Sequence, residues 1–224
     1  MRKLTFLLVC LSAAAWAGKA EDERLKAAAT VLQEIMAIED KAIPQDLFSK
    51  AQCAIIIPGA KKAGFVFGGK YGRGFASCRM PDGQGWTAPV GVRIEGGTFG
   101  LQIGGAEVDI VMLVMNQSGM ERLLSSKFTL GADATGAAGP VGRSTSAQTD
   151  ATMRAEILSW SRSRGVFGGL TLQGTTMRED RSVDEALYGA GVDRKEVLRG
   201  KRNAPPSAQE LISLLNKYSA YRNK

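Results

Sequence analysis

The chain has 224 residues with 44% hydrophobic and 23% charged side chains, enough apolar matter for a buried core and too little charge bias for a disordered one. It contains no histidine, which removes the commonest general base, the usual catalytic triads and most catalytic zinc sites. The formal charge of +7 is unevenly placed: eight basic and three acidic residues fall between Asp193 and Lys224, and such an excess favours contact with an anionic surface.

Arg2 and Lys3 precede an apolar run from Leu4 to Ala15, and Ala15 and Ala17 are spaced as a signal peptidase requires. This predicts a secretory signal peptide over residues 1–17, cleaved after Ala17. The run is shorter than the roughly 20 residues that span a bilayer. Val9 before Cys10 does not suit a lipoprotein site. The expected product is one domain, 18–224 with a core of about 24–218, that works in the periplasm or is secreted. Cys53 and Cys78 would then lie in a compartment that permits disulfides. They fit either a cross-sheet bridge or two buried thiols.

From Glu21 to Asp40, Leu25, Ala28, Leu32, Ile35 and Met36 recur at helical spacing, predicting an amphipathic helix. A short helical turn is expected after Pro44, with Leu47 and Phe48 facing inward. The pattern then changes to glycine-punctuated strands at Cys53–Ile57, Gly64–Gly69, Phe75–Arg79, Trp86–Ile94, Thr98–Ile103 and Val108–Met115. Glycine supplies 27 residues, many inside these strands, where it marks bulges, bends or close backbone approach. The fold class expected is α+β: a strongly curved antiparallel sheet or barrel-like core, with the amphipathic helix and a carboxy-terminal helix packed on it. A helix at Ser118–Ser125, a small-residue loop from Gly131 to Pro140 and strands at Ala155–Ser161 and Val166–Leu172 follow. Ser207 and Glu210 have the spacing of a capping box for a last helix carrying Leu211, Leu214, Leu215 and Tyr218.

Gly64 to Lys70 has the G-x-x-x-x-G-K spacing of a phosphate loop. However, Tyr71 stands where Ser or Thr must reach magnesium, and Phe65, Val66 and Phe67 favour a strand. Asp109 lies inside the apolar run Val108–Met115 and Asn116 closes it; both read as structural acceptors, since a buried carboxylate needs partners. Lys61, Lys62, Lys70, Arg73, Arg143, Arg162 and Arg164 recur beside glycines. Such cations suit phosphate oxygens, and they equally suit the solubility of exposed sheet edges. The residues suggest no metal site, no cofactor and no nucleic acid partner.

Cys53-Ala54-Ile55-Ile56-Ile57-Pro58-Gly59, Gly64-Phe65-Val66-Phe67-Gly68-Gly69 and Tyr71-Gly72-Arg73-Gly74 resemble successive blocks of the SYLF domain. Later blocks follow in order at Trp86–Pro89, Gln102–Gly105, Asp109–Asn116, Leu130–Asp133, Ala138–Arg143 and Ser161–Gly165. The resemblance implies a non-enzymatic lipid-binding module, with eukaryotic relatives that recognise phosphoinositides and some that bind actin. For this chain it implies anionic phospholipid or a membrane surface of the cell envelope as partner. A scaffold for an envelope protein is the alternative. Export makes actin an implausible partner, and the six acidic residues of Glu21–Lys41 make that helix a poor membrane anchor.

Overall fold

A computed structural model describes residues 2–38, 42–64, 67–99, 104–141, 154–163, 166–170 and 172–220; within these, the side chains of 2–17, 63–64, 67–68, 98–99 and 104–105 are not described. Helix α1 (Arg2–Met36) runs through the expected amphipathic stretch and stops short of Asp40. Leu25, Ala28, Leu32 and Ile35 are fully buried, as the 3.6-residue period requires. The short α2 (Gln45–Lys50) buries Leu47 and Phe48.

Four long strands form the middle of one sheet: β1 (Cys53–Gly64), β2 (Phe67–Cys78), β3 (Val90–Phe99) and β4 (Gly104–Val114). They replace the six shorter strands expected. Gly64–Gly69 is the end of β1 and the start of β2, and Thr98–Ile103 supplies the end of β3; residues 65–66 and 100–103 lie outside the described residues. The glycines of these segments lie inside the strands, and their backbones remain in register along the ladders. Trp86 makes an isolated bridge to Arg79, so β3 starts only at Val90.

The sheet continues through α3 (Gln117–Leu123), β5 (Lys127–Thr129), β6 (Gly136–Ala138), β7 (Ile157–Ser163), β8 (Val166–Gly169) and β9 (Thr176–Glu179). Helices α4 (Arg181–Tyr188), α5 (Arg194–Leu198) and α6 (Gln209–Ser219) complete the chain. Strand order is β5-β9-β3-β2-β1-β4-β7-β6, with β8 also paired to β7. The ladders are antiparallel except β6 with β7, which is parallel, a correction to the wholly antiparallel sheet expected. The small residues of Gly131–Pro140 hide β6 because a three-residue edge strand carries no hydrophobic alternation.

Chain length forces the curl. Eight strands about 4.8 Å apart would hold the edges of a flat sheet about 34 Å apart. Yet Thr129 of β5 and Gly136 of β6 are joined by a segment that can span at most about 25 Å. The sheet therefore bends around an interior. Cys53, Ile55, Ile57, Val92, Ile94, Ile110 and Met112 pack inside the curve, with Phe128, Leu130 and Met177. Alternate residues of the same strands, Ala54, Ile56, Phe75, Val111, Leu113 and Trp160, face outward into a second core with α1, α2 and α6. Cys53 and Cys78 are opposed across β1 and β2, fully buried in the inner core, and joined by a disulfide.

The last helix packs on α1 and α2 through Leu211 and Leu215, and Trp86 Nε1 donates to Ser219 Oγ at 2.9 Å. Its expected capping box is absent. Pro206–Ala208 forms a 3₁₀ turn, Ala208 occupies the N-cap, and Ser207 lies within the turn where its hydroxyl cannot cap. Arg79 closes the far end of the fold: it donates to the carbonyls of Ser49 (2.9 Å) and Ala51 (3.3 Å) at the end of α2 and sits 4.5 Å from the Trp86 ring centre.

The in-strand glycines have a specific job at the β1 bulge. Register shifts between Ile57 and Ala60, and Gly59 there has φ of 58°, a conformation that favours glycine. Across from it, a Cβ on Gly74 would stand 2.1 Å from the Ile56 carbonyl oxygen and 2.7 Å from Ile57 Cα, both backbone atoms. Gly74→Ala should therefore lower unfolding free energy by about 2–3 kcal/mol in urea denaturation. Gly69→Ala, with nothing within 4 Å of its Cβ position, should change it by under about 0.5 kcal/mol. Equal effects at the two positions would refute the close-approach account.

Candidate anion-binding surface

The basic residues singled out by sequence divide into two groups. Arg162 and Arg73 are internal cross-links. Arg162 lies opposite Asp109 in the β4–β7 ladder; its Nε and Nη2 donate to Asp109 Oδ2 at 3.0 and 2.7 Å, and its Nη1 donates to Glu34 of α1. Asp109 Oδ1 accepts the Gly59 N–H of the β1 bulge at 2.9 Å. One carboxylate thus joins β1, β4 and β7, and the arginine extends that link to α1. Burial pulls the Arg162 pKa down, but the hydrogen bonds to Asp109 and Glu34 outweigh it and hold the guanidinium charged.

Arg73 makes the matching link on the other side. Its Nε donates to Asp180 at 2.6 Å and its Nη2 to Ser182 at 2.9 Å, while Glu21 of α1 lies 3.8 Å from its Nη1. The Asp180 hydrogen bond raises the Arg73 pKa. Glu21 and Glu34 are therefore anchors of α1 on the sheet. Asn116 caps α3, its Oδ1 accepting the Gly119 N–H at 2.9 Å.

Lys61, Lys62 and Lys70 form the second group, near the end of the β1–β2 hairpin. Lys62 and Lys70 are direct cross-strand partners, and Lys61 is paired in register with Tyr71, which is 48% exposed. Like charges placed opposite each other cost stability. Burial, and then the neighbouring Lys62 ammonium, hold Lys70 below the usual lysine range. Lys62 and Lys70 share the concave face with Ala60 and Gly72, at the mouth of the inner core. Arg143 and Arg164 lie outside the described residues. Among the described residues no cluster of carboxylates or thiols could hold a metal, and no helix is long and apolar enough to cross a membrane.

Sequence reasoning missed a buried polar cluster that ties α4 and α5 to β3. Asp184 is 3% exposed and its Oδ1 accepts the Gly91 N–H at 2.6 Å; Arg194 Nη1 donates to the Gly91 carbonyl at 3.2 Å, and the Tyr188 hydroxyl donates to the Pro89 carbonyl. Val183, one helical turn before Leu187, was the available signal for α4, but the charged residues between them masked it. Burial pushes the Asp184 pKa up to about 6.

A curled α+β sheet with helices over its convex side, a facing lysine pair at its mouth and its strand arginines bound to carboxylates defines a compact module without a recognisable catalytic constellation among the described residues. The chain belongs to the Ysc84, or SYLF, family: residues 95–218 match the family model described as "Las17-binding protein actin regulator". It is 31% identical to LAS seventeen-binding protein 3 of Saccharomyces cerevisiae across 79% of its own length and 39% of that protein. It is 30% identical to the human SH3 domain-containing YSC84-like protein 1 across 89% of its length and 60% of that protein. An SH3 domain-containing protein of Schizosaccharomyces pombe is 32% identical across 79% of this chain and 41% of its own. The chain thus spans about two fifths to three fifths of these relatives.

Two outcomes follow from this geometry. Asp109→Ala removes the partner of Arg162 and of the Gly59 N–H together, and should cost about 3 kcal/mol in denaturant unfolding; a change below about 1 kcal/mol would show that the network carries no load. Asp184 has a folded pKa raised above its unfolded value of about 3.9, so it binds its proton more tightly when folded. Its contribution is present at low pH and lost as pH rises through about 6. Relative to Asp184→Asn, the parent protein should gain on the order of 2 kcal/mol between pH 7 and pH 4. Parallel stability profiles for the two proteins would contradict this.

Proposed function

We propose that this chain is a non-enzymatic module that binds anionic phospholipid at the cell envelope, through Lys61, Lys62 and Lys70 of the β1–β2 hairpin. The observation that carries the reading is the Lys62–Lys70 pair: two ammonium groups set opposite one another, with Tyr71 exposed on the neighbouring position. That arrangement is unfavourable for the isolated fold and becomes favourable when phosphate oxygens lie between the two charges. The exposed tyrosine suits the boundary between headgroups and acyl chains. Export through the Arg2–Ala17 segment would bring the domain to envelope membranes. Arg73 and Arg162 take no part, because their charges are used internally.

The family description favours a second reading, a protein-interaction scaffold, since the model that matches this chain carries the name of a Las17-binding protein. Export argues for an envelope partner in place of a cytoskeletal one. The two readings separate cleanly. Residues 18–224 should sediment with vesicles of phosphatidylglycerol and phosphatidylcholine, less so as salt rises, and little with phosphatidylcholine alone. Each lysine near an anionic surface contributes about 1 kcal/mol, so Lys62→Gln with Lys70→Gln should weaken binding about thirty-fold. No sedimentation with acidic vesicles, together with a specific envelope protein retained on the purified domain, would establish the scaffold reading instead.

A further inference from the structure

Four basic residues outside those considered so far, or shared with them at one end, form a row on the convex face. Arg73 is paired with Arg93, Arg93 with Arg178, and Arg178 with Lys127, so β2, β3, β9 and β5 present a cation at the same register position. Register partners point to the same side of a sheet, and adjacent strands are about 4.8 Å apart; the Arg93–Arg178–Lys127 portion therefore covers about 10 Å. Consecutive like-charge pairs destabilise a sheet. The carboxylates nearby only partly relieve them. Asp180 is taken by Arg73, and Glu179 by Arg181, both at 2.6 Å. Glu95 is divided between two guanidiniums, 2.9 Å from Arg93 Nε and 3.1 Å from Arg178 Nε.

Those two Nε atoms are buried and lack an aligned hydrogen bond, so Glu95 holds them by charge alone. Among the described residues no acceptor is bonded to the Nη groups of Arg93 and Arg178 or to Lys127 Nζ. These side chains line a cleft of about 410 Å³ with Ser126, Glu179, Asp180, Arg181 and Ser182. Two carboxylates face four cations there. Guanidinium forks beside hydroxyls suit phosphate, and a row about 10 Å long suits a ligand with more than one phosphate group better than a single carboxylate.

We propose that this convex cleft is a second anion site, built by Arg93, Arg178 and Lys127 to bind an oligophosphate group. It is separate from the concave lysine pair, since the two lie on opposite faces of the sheet and share no residue. The ligand is a chain or cluster of phosphates, either in solution or carried on a lipid headgroup.

Calorimetric titration of residues 18–224 with inorganic tripolyphosphate at low salt tests it. One equivalent should bind in the cleft, Arg178→Gln should weaken that binding at least ten-fold, and Lys217→Gln, an exposed change on α6 outside both cationic surfaces, should leave it unchanged. Lys127→Gln alters an exposed edge residue whose side chain bonds to none of the described residues, so it reports on the ligand without threatening the fold; it should weaken binding about five-fold. Vesicles containing a bisphosphorylated lipid provide the second arm. Loss of tripolyphosphate binding with vesicle binding retained identifies a soluble ligand, and loss of both identifies a headgroup. Absence of any binding in both arms, or affinities unmoved by Arg178→Gln and Lys127→Gln, overturns the proposal. Because the lysine pair is intact in these variants, failure of the concave site would appear separately, as acidic vesicles that do not bind the parent protein.

Discussion

The double burial of the central strands governs this structure. β1 and β4 place alternate residues in two different cores: Cys53, Ile55 and Ile57 inside the curved sheet, and Ala54 and Ile56 beneath the helices. A flat sheet could not satisfy both, because its concave surface would be open to water. Curvature closes the inner core, and α1, α2 and α6 close the outer one. Each fully buried Ile or Leu contributes about 2 kcal/mol of transfer free energy, so both faces are needed to offset the ordering of so long a chain.

Curvature in turn dictates the polar chemistry. The β1 bulge at Pro58–Gly59 leaves an N–H without a strand partner, and Asp109 accepts it. A partly buried carboxylate in a strand then requires a cation, which Arg162 supplies from β7. Arg162 has donors to spare and takes Glu34, so α1 is fixed at one end; Arg73, Asp180 and Glu21 repeat the arrangement at the other. The acidic character of α1 is thus complementary to the sheet arginines beneath it. It is this complementarity that removes two arginines from any external site and leaves the lysines of the hairpin, and the row on β3, β9 and β5, as the cationic surfaces.

The two surfaces differ in a way that bears on what they can hold. Lys62 and Lys70 stand at the mouth of the inner core, and Lys61 and the exposed Tyr71 project from the opposite face of the same hairpin end, an arrangement suited to a broad interface. The Arg93–Arg178–Lys127 row lines a bounded cleft with hydroxyls, an arrangement suited to a discrete ligand. Ammonium groups act as compact point charges, whereas guanidinium forks impose direction, so the choice of lysine in one place and arginine in the other follows the same division.

Much of the fold was legible in the chain itself. Helical spacing in α1 and α6, the apolar runs of β1 and β4, and glycine inside strands as a mark of bulge and curvature are local properties, set by periodicity and by the missing Cβ. The blocks from Cys53 to Gly165 carried the family. The short strands β5, β6 and β9 were not legible, because three or four residues hold no period. The capping box failed because a 3₁₀ turn moved the helix start past Ser207. Above all, no local pattern distinguishes Arg162, bound to Asp109 and Glu34, from Arg178, whose Nη groups make no hydrogen bond among the described residues. Sequence determined that this would be a curved, glycine-rich α+β domain with excess positive charge. Tertiary structure alone decided which charges were consumed, since a cation is neutralised by whatever the strand register and the helix docking bring within about 3 Å of it.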